Sequence, residues 1–260
     1  MYLLATVNAR THLPSIAVLG LLTSASACRS DLDEVDSMFY AGGHRPVHCG
    51  IDIDSRARLS LADIDRALDR ARDREETVEL YAHRPGVTVE IDVLEHVFAG
   101  ARERGLRFVT YRDMTTEEPP GAGLAFAFDD ASVKLWWEIR DLLLKYDARI
   151  TFFLSRYATL ADDEREMMRV FAADGHDLEA HSVNHLSAPE YVEINGVTSY
   201  MREEVKPSLD VLHADGYAPV AYAYPFGRRT AELDEALLGS VAIVRSIVYA
   251  WSGVNSPCPE

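Results

Sequence analysis

Positive charge is scarce in this sequence. Its 260 residues hold 26 Lys+Arg against 42 Asp+Glu, a formal net charge of −16, which speaks against binding nucleic acid or anionic lipid through a basic surface. Cysteine is nearly missing, at 3 residues, too few for a scaffold built on disulfides. No internal repeat or low-complexity tract argues for a solenoid or fibre. Long apolar runs are also lacking: Leu13–Leu22 is broken by Pro14, Ser15 and Gly20 and is too short to span a bilayer. What is present suits one sizeable core, with 48% apolar and 26% charged residues.

Residues 1–28 have the layout of a secretory signal peptide: a short start with Arg10, the apolar run, then small residues ending at Cys28. The small residues before Cys28 resemble a bacterial lipoprotein box, although Ala25 stands where Leu is usual, so an ordinary cleavage site stays open. Export is expected, with any membrane contact made through a lipid on Cys28. Residues 29–46 read as an acidic tether and lead-in, and 47–260 as a single domain. Export permits a disulfide between Cys49 and Cys258; two unrelated thiols is the alternative.

From residue 47 short apolar runs alternate with segments of helical period. Strands are expected at 47–53, 77–82, 107–111, 124–128, 149–154, 177–180, 219–224 and 241–249. Helices are expected at 59–73, 89–105, 133–146, 162–175, 197–214 and 230–239, with a Pro/Gly-rich joint at 115–123. These strands are too apolar to have a wet face, so the fold class is α/β, a parallel sheet of about eight β/α steps covered by helices and most simply a barrel. Chemistry in such a barrel sits at the C-terminal ends of the strands.

The polar residues at those ends are distinctive. Asp129 and Asp130 follow one strand directly, and adjacent carboxylates need solvent, a cation or a shared proton. His181 and His185 follow another strand, spaced so that both imidazoles can face one point. One carboxylate and two imidazoles leave a coordination position for water, the catalytic pattern for zinc-like ions, and the second carboxylate is free to act as a base. A Pro-Phe-Gly turn at 225–227 can aim a backbone N–H into the mouth, and His83 ends a further strand where it can donate a proton.

These residues resemble the motifs of the polysaccharide deacetylases, the NodB-homology group of carbohydrate esterases (family 4), over about residues 47–250, which implies a (β/α)7–8 barrel of distorted TIM-like form. AFDD is similar to the family's TFDD motif, which implies Asp129 as general base and Asp130 as metal ligand. HSVNH fits H-S/T-x-x-H, which implies His181 and His185 as the other ligands. YPFG resembles R-x-P-Y and implies an oxyanion-binding N–H at Phe226. LYAH resembles L-x-H and implies His83 as general acid, oriented by Asp54 or, as a fallback, Asp52. The order differs from the family's usual one, because the Asp54 and His83 motifs precede the double aspartate. That is the order of a circular permutation, as in exported poly-N-acetylglucosamine deacetylases, and it requires the first and last strands to be neighbours. It would also bring Cys49 near Cys258.

Two departures stand out. Ala223 replaces the motif arginine that steers the base, with Arg228 or Arg229 as candidate substitutes, and Ala57 and Arg58 stand where Asp-Trp is usual. The resemblance implies hydrolysis of acetamides on an N-acetylated polysaccharide, with a divalent ion, zinc by default. The alternatives are a catalytically degenerate glycan-binding barrel and a hydrolase of O-acetyl esters or small amides. Trp136 and Trp137 are expected to divide between core and rim. His96, His176 and His213 read as surface or packing residues, and Asp162, Asp163 and Glu164 as a helix start.

Overall fold

The structure, a computed structural model, describes residues 32–116, 118–248 and Cys258. The signal-peptide and lipidation readings of residues 1–28 lie outside the described residues.

Alternation of buried strands and one-sided helices builds the molecule. In chain order come β1 (Phe39–Tyr40), β2 (Val47–Asp52), α1 (Leu61–Asp73), β3 (Thr77–Ala82), α2 (Ile91–Glu103) and β4 (Arg107–Phe108). Next are β5 (Gly123–Asp130), α3 (Val133–Glu138), α4 (Arg140–Lys145), β6 (Thr151–Leu154), α5 (Asp162–Ala173) and β7 (Asp177–Ala180). Then follow α6 (Ala188–Asn195), α7 (Val197–Tyr200), α8 (Lys206–Ala214), β8 (Ala221–Ala223), α9 (Ala231–Leu238) and β9 (Ile243–Val248).

Seven strands, in the order β2, β3, β5, β6, β7, β8 and β9, pair in parallel, and β9 pairs with β2 to close the barrel. The strand expected at 107–111 shortens to the two residues of β4, because β3 bonds to β5 directly and fills the berth it would need. The chain after β4 turns inward instead. Tyr111 and Met114 bury among the residues of the interior cluster, and the Tyr111 N–H donates to Thr151 Oγ1 at 3.1 Å.

Helix α1 shows how the sequence sets the outer layer. Ser60 caps it, accepting from the Asp63 N–H while the Asp63 carboxylate accepts from the Ser60 N–H. Ile64, Leu68 and Ala71 then face the barrel, whereas Leu61, at the first position, is exposed. Two expected helices are interrupted. The 133–146 segment breaks at Ile139, and 197–214 contains a π turn at Met201–Val205. Pro207 has no N–H to offer the preceding turn, and the Lys206 N–H reaches back to the Met201 carbonyl.

The tether reading of 29–46 does not hold from Leu32 onward. Leu32, Met38, Phe39 and Tyr40 are buried, and β1 pairs antiparallel with the start of β3, so apolar side chains dock a stretch whose net composition is acidic. Cys49, in the closing strand β2, is joined to Cys258 by a disulfide with Cα atoms 6.1 Å apart.

Inside the barrel, Ala125, Ala127, Ala221 and Ala223 share a cluster with Tyr81, Tyr111 and Phe153. Small and large residues interdigitate there, as barrel interiors require. Gly50 belongs to the same arrangement, since a Cβ on it would lie 3.1 Å from the Tyr81 ring. The space these residues leave is taken by a charged side chain, described below.

Candidate active site

The C-terminal ends of the strands converge on a cavity of about 340 Å³ whose lining includes His83, Asp129, Asp130, His181, His185 and Phe226. Six of the seven residues singled out from the sequence therefore meet in one place. The seventh, Asp54, lies just behind His83.

Strand β5 delivers the two carboxylates. Asp129 is buried, while Asp130 has φ of +84° and is partly exposed. His181 directly follows β7, and the chain continues as an irregular loop, with φ of +69° at Ser182 and +60° at His185. Left-handed non-glycine residues cost energy and persist where the surroundings over-determine them, a pattern typical of functional sites. Here the His185 N–H donates to Ser182 Oγ at 2.9 Å. Buried Glu204, in the π turn, accepts from the Asn184 N–H at 2.8 Å and Asn184 Nδ2 at 2.6 Å. Nothing in the sequence pattern marked Glu204.

The donor set fits a divalent cation. The His181 Nδ1–H donates to the Ala223 carbonyl at 2.8 Å, which leaves a lone pair on Nε2 aimed into the cavity, the tautomer of a metal-binding imidazole. His181 Nε2 lies 3.2 Å from His185 Nε2 and 3.7 Å from Asp130 Oδ1, and His185 Nε2 lies 3.1 Å from that oxygen. Burial pushes the His181 imidazole down to about 4, so it is neutral near pH 7. Burial would raise the Asp130 carboxyl, but the His185 hydrogen bond and the surrounding imidazoles hold it well below the ordinary carboxylate range. The three donor atoms lie within 4.8 Å of one another.

His83 follows β3 and is held from behind. Its Nδ1–H donates to Asp54 Oδ2 at 2.8 Å, and its backbone N–H to Asp54 Oδ1 at 3.2 Å. The Thr88 hydroxyl also donates to Asp54, at 2.9 Å. Asp54, not Asp52, therefore orients the imidazole. Asp52 accepts from the Asp54 N–H and from Arg56 Nε, both at 2.8 Å. Burial opposes the charged imidazole, but the Asp54 hydrogen bond and the Asp129 charge outweigh it and raise the His83 pKa. On Asp54, burial is likewise outweighed by the His83 hydrogen bond and charge, and its pKa falls.

The turn at 225–227 places Phe226 on the rim with φ of +59° and its ring against His185. Gly227 is required beside it, because a Cβ there would lie 2.2 Å from Ile247. Neither candidate substitute for the missing arginine reaches the base: Arg228 pairs with Glu190 and Arg229 with Asp234. The guanidinium beside Asp129 is that of Arg245, from β9. Only a known strand register would have revealed it, since Arg245 is the in-register partner of Ala223.

Trp136 is core, and its Nε1–H donates to the His83 carbonyl at 2.8 Å. Trp137 packs partly buried against Phe171, away from the cavity lining. His176 is a packing residue between Phe152 and Phe171, and His96 pairs with Asp65.

Residues 116–239 match the sequence profile of the polysaccharide deacetylase family, a stretch that includes both aspartates and both histidines but leaves Asp54 and His83 outside it. No curated protein matches the chain. Among solved structures, a chitin deacetylase from Colletotrichum lindemuthianum is 21% identical, over 47% of this chain and 54% of its own, with a TM-score of 0.41. Peptidoglycan deacetylase PdaC from Bacillus subtilis is 21% identical, over 47% of this chain and 56% of its own, at 0.38. This chain thus spans little more than half the length of either. IcaB from Ammonifex degensii is 14% identical, over 80% of this chain and 87% of its own, at 0.46. The likeness in sequence to the polysaccharide deacetylases thus rests on residues 116–239.

Proposed function

We propose that the protein removes acetyl groups from the N-acetylated sugars of a cell-envelope or extracellular polysaccharide by metal-dependent hydrolysis. The carrying observation is that three metal-ligand donors, a separate buried carboxylate and an imidazole oriented from behind line one cavity. A divalent ion held by Asp130, His181 and His185, zinc on the preference of this ligand set, would supply Lewis acidity and acidify water. Asp129 takes the proton of the attacking water. Phe226 offers its backbone N–H to the oxyanion that forms as the acetyl carbon becomes tetrahedral. His83, with Nδ1 fixed by Asp54, gives its Nε2 proton to the departing amine.

Asp54→Asn tests the last role. The acid must be protonated, and Asp54 helps raise the His83 pKa, which extends the protonated window upward. Removing that charge lowers the pKa, so the alkaline limb of kcat/KM is expected to move to lower pH, with kcat down about 10²-fold. An unmoved limb in a folded variant would remove Asp54 from the mechanism.

The reading as a whole is tested by acetate release from N-acetylglucosamine oligomers and peptidoglycan, with zinc and after chelation. Release that is absent with zinc, or unchanged by chelation, would refute it. A glycan-binding barrel without turnover takes its motive from Ala223, and the charge of Arg245 beside Asp129 weakens that motive. We read the chain as circularly permuted, supported by the closure of the barrel between β9 and β2. Export, with lipid on Cys28, is supported by the N-terminal sequence and by the Cys49–Cys258 disulfide, which favours an oxidising compartment.

A further inference from the structure

Arg245 is 1% exposed in the barrel interior, where a guanidinium is rarely found unless paired. Its Nε and Nη1 are buried without a hydrogen-bond partner among the described residues, so only Nη2 is committed by a hydrogen bond. Gly50 lies beside its aliphatic stem, where a Cβ would make ordinary van der Waals contact with Cδ at 3.6 Å, and Ala223 is its in-register neighbour. The rings of Tyr81 and Phe153 have their centroids 4.6 and 4.8 Å from the guanidinium carbon, within cation–π range.

Its contact with Asp129 is one-sided. Arg245 Nη2 donates to Asp129 Oδ2, whereas Asp129 Oδ1 is buried and has no hydrogen-bond partner among the described residues. A pair serving stability alone would be expected to use both oxygens, because an orphaned buried acceptor costs free energy and a buried ion pair at best roughly offsets its desolvation. The unpartnered oxygen belongs to the residue that lines the cavity beside the metal-ligand donors.

We propose that Arg245 is a positioning residue that clamps Asp129 Oδ2 and thereby presents Oδ1 as the proton acceptor. The inference rests on the deacetylase reading for what Oδ1 accepts, though not for the clamp itself. Ala223 and Arg245 face the same interior from adjacent strands, so the guanidinium has two strand positions from which it could reach Asp129.

That equivalence supplies the test. Full-length R245A, R245K and the double variant A223R/R245A are compared with wild type for zinc affinity by calorimetry, for kcat and KM on an N-acetylglucosamine oligomer, and by crystallography. R245A is expected to keep its zinc affinity and KM within about threefold while kcat falls about 10²-fold, as for a misplaced base. R245K should recover kcat only in part, since an ammonium lacks the planar fork. A223R/R245A should regain about tenfold over R245A, with the introduced guanidinium on Asp129 Oδ2. Wild-type kcat in R245A, or a crystal structure of it with Asp129 unmoved, would overturn the proposal. Should R245A fail to fold, the double variant decides: Asp129 held as in wild type supports the clamp, and Asp129 swung away overturns it. If wild type itself releases no acetate, the deacetylase reading fails alone, and the crystal structures still judge the clamp.

Discussion

His181→Ala is expected to lose zinc and acetate release together, with affinity down at least about 10²-fold and kcat about 10³-fold. His181 is nearly fully buried, and its Nδ1–H is committed to the Ala223 carbonyl, so Nε2 is fixed as a lone-pair donor. Alanine removes one of three ligands and leaves that carbonyl without its donor. Equilibrium dialysis with zinc, beside an acetate assay, reads both losses. The experiment also discriminates between two places for the ion, since Asp52, Asp54 and His83 form a second group with donor atoms within 4.8 Å of one another. That group is already spent: His83 Nδ1 binds Asp54, and Asp52 accepts from Arg56 and the Asp54 N–H. Zinc retained at wild-type affinity in His181→Ala would move the centre there and refute the assigned ligand set.

The barrel was legible because its strands are buried on both faces and its helices on one, which writes two periods into the sequence. The convergence of Asp129, Asp130, His181, His185 and His83 was legible for the same reason: each lies at the C-terminal end of a strand or in the loop that leaves it. What escaped depends on packing across strands. Arg245 sits in an apolar strand where its inward direction follows only from its register with Ala223. β4 is cut short by the pairing of β3 with β5, a competition that no local propensity reports. Leu32 and Phe39 dock although the stretch around them is net acidic, because they bury apolar surface while Asp33 and Asp36 pair with Arg66 and Arg70 of α1. Glu204 supports the histidine loop from a π turn, and nothing near the His181 motif announces it.

Asp129→Asn is expected to lower kcat about 10³-fold while zinc stays bound at wild-type stoichiometry. The amide keeps the shape of the side chain and can still accept from Arg245 Nη2, but it has no basic oxygen for a proton. The substitution also leaves the Arg245 guanidinium without its countercharge in the barrel interior. Breaking a buried pair from one side costs about 3–5 kcal/mol, so thermal unfolding must accompany the kinetics. A folded variant with bound zinc and little turnover identifies Asp129 as the base. The geometry makes the opposite outcome informative as well. Asp130 Oδ1 is the carboxylate oxygen beside both imidazoles, and Asp129 Oδ2 is occupied by Arg245. If Asp129→Asn loses zinc while Asp130→Asn retains it, the two adjacent carboxylates exchange roles, and the clamp on Asp129 becomes one that orients a ligand.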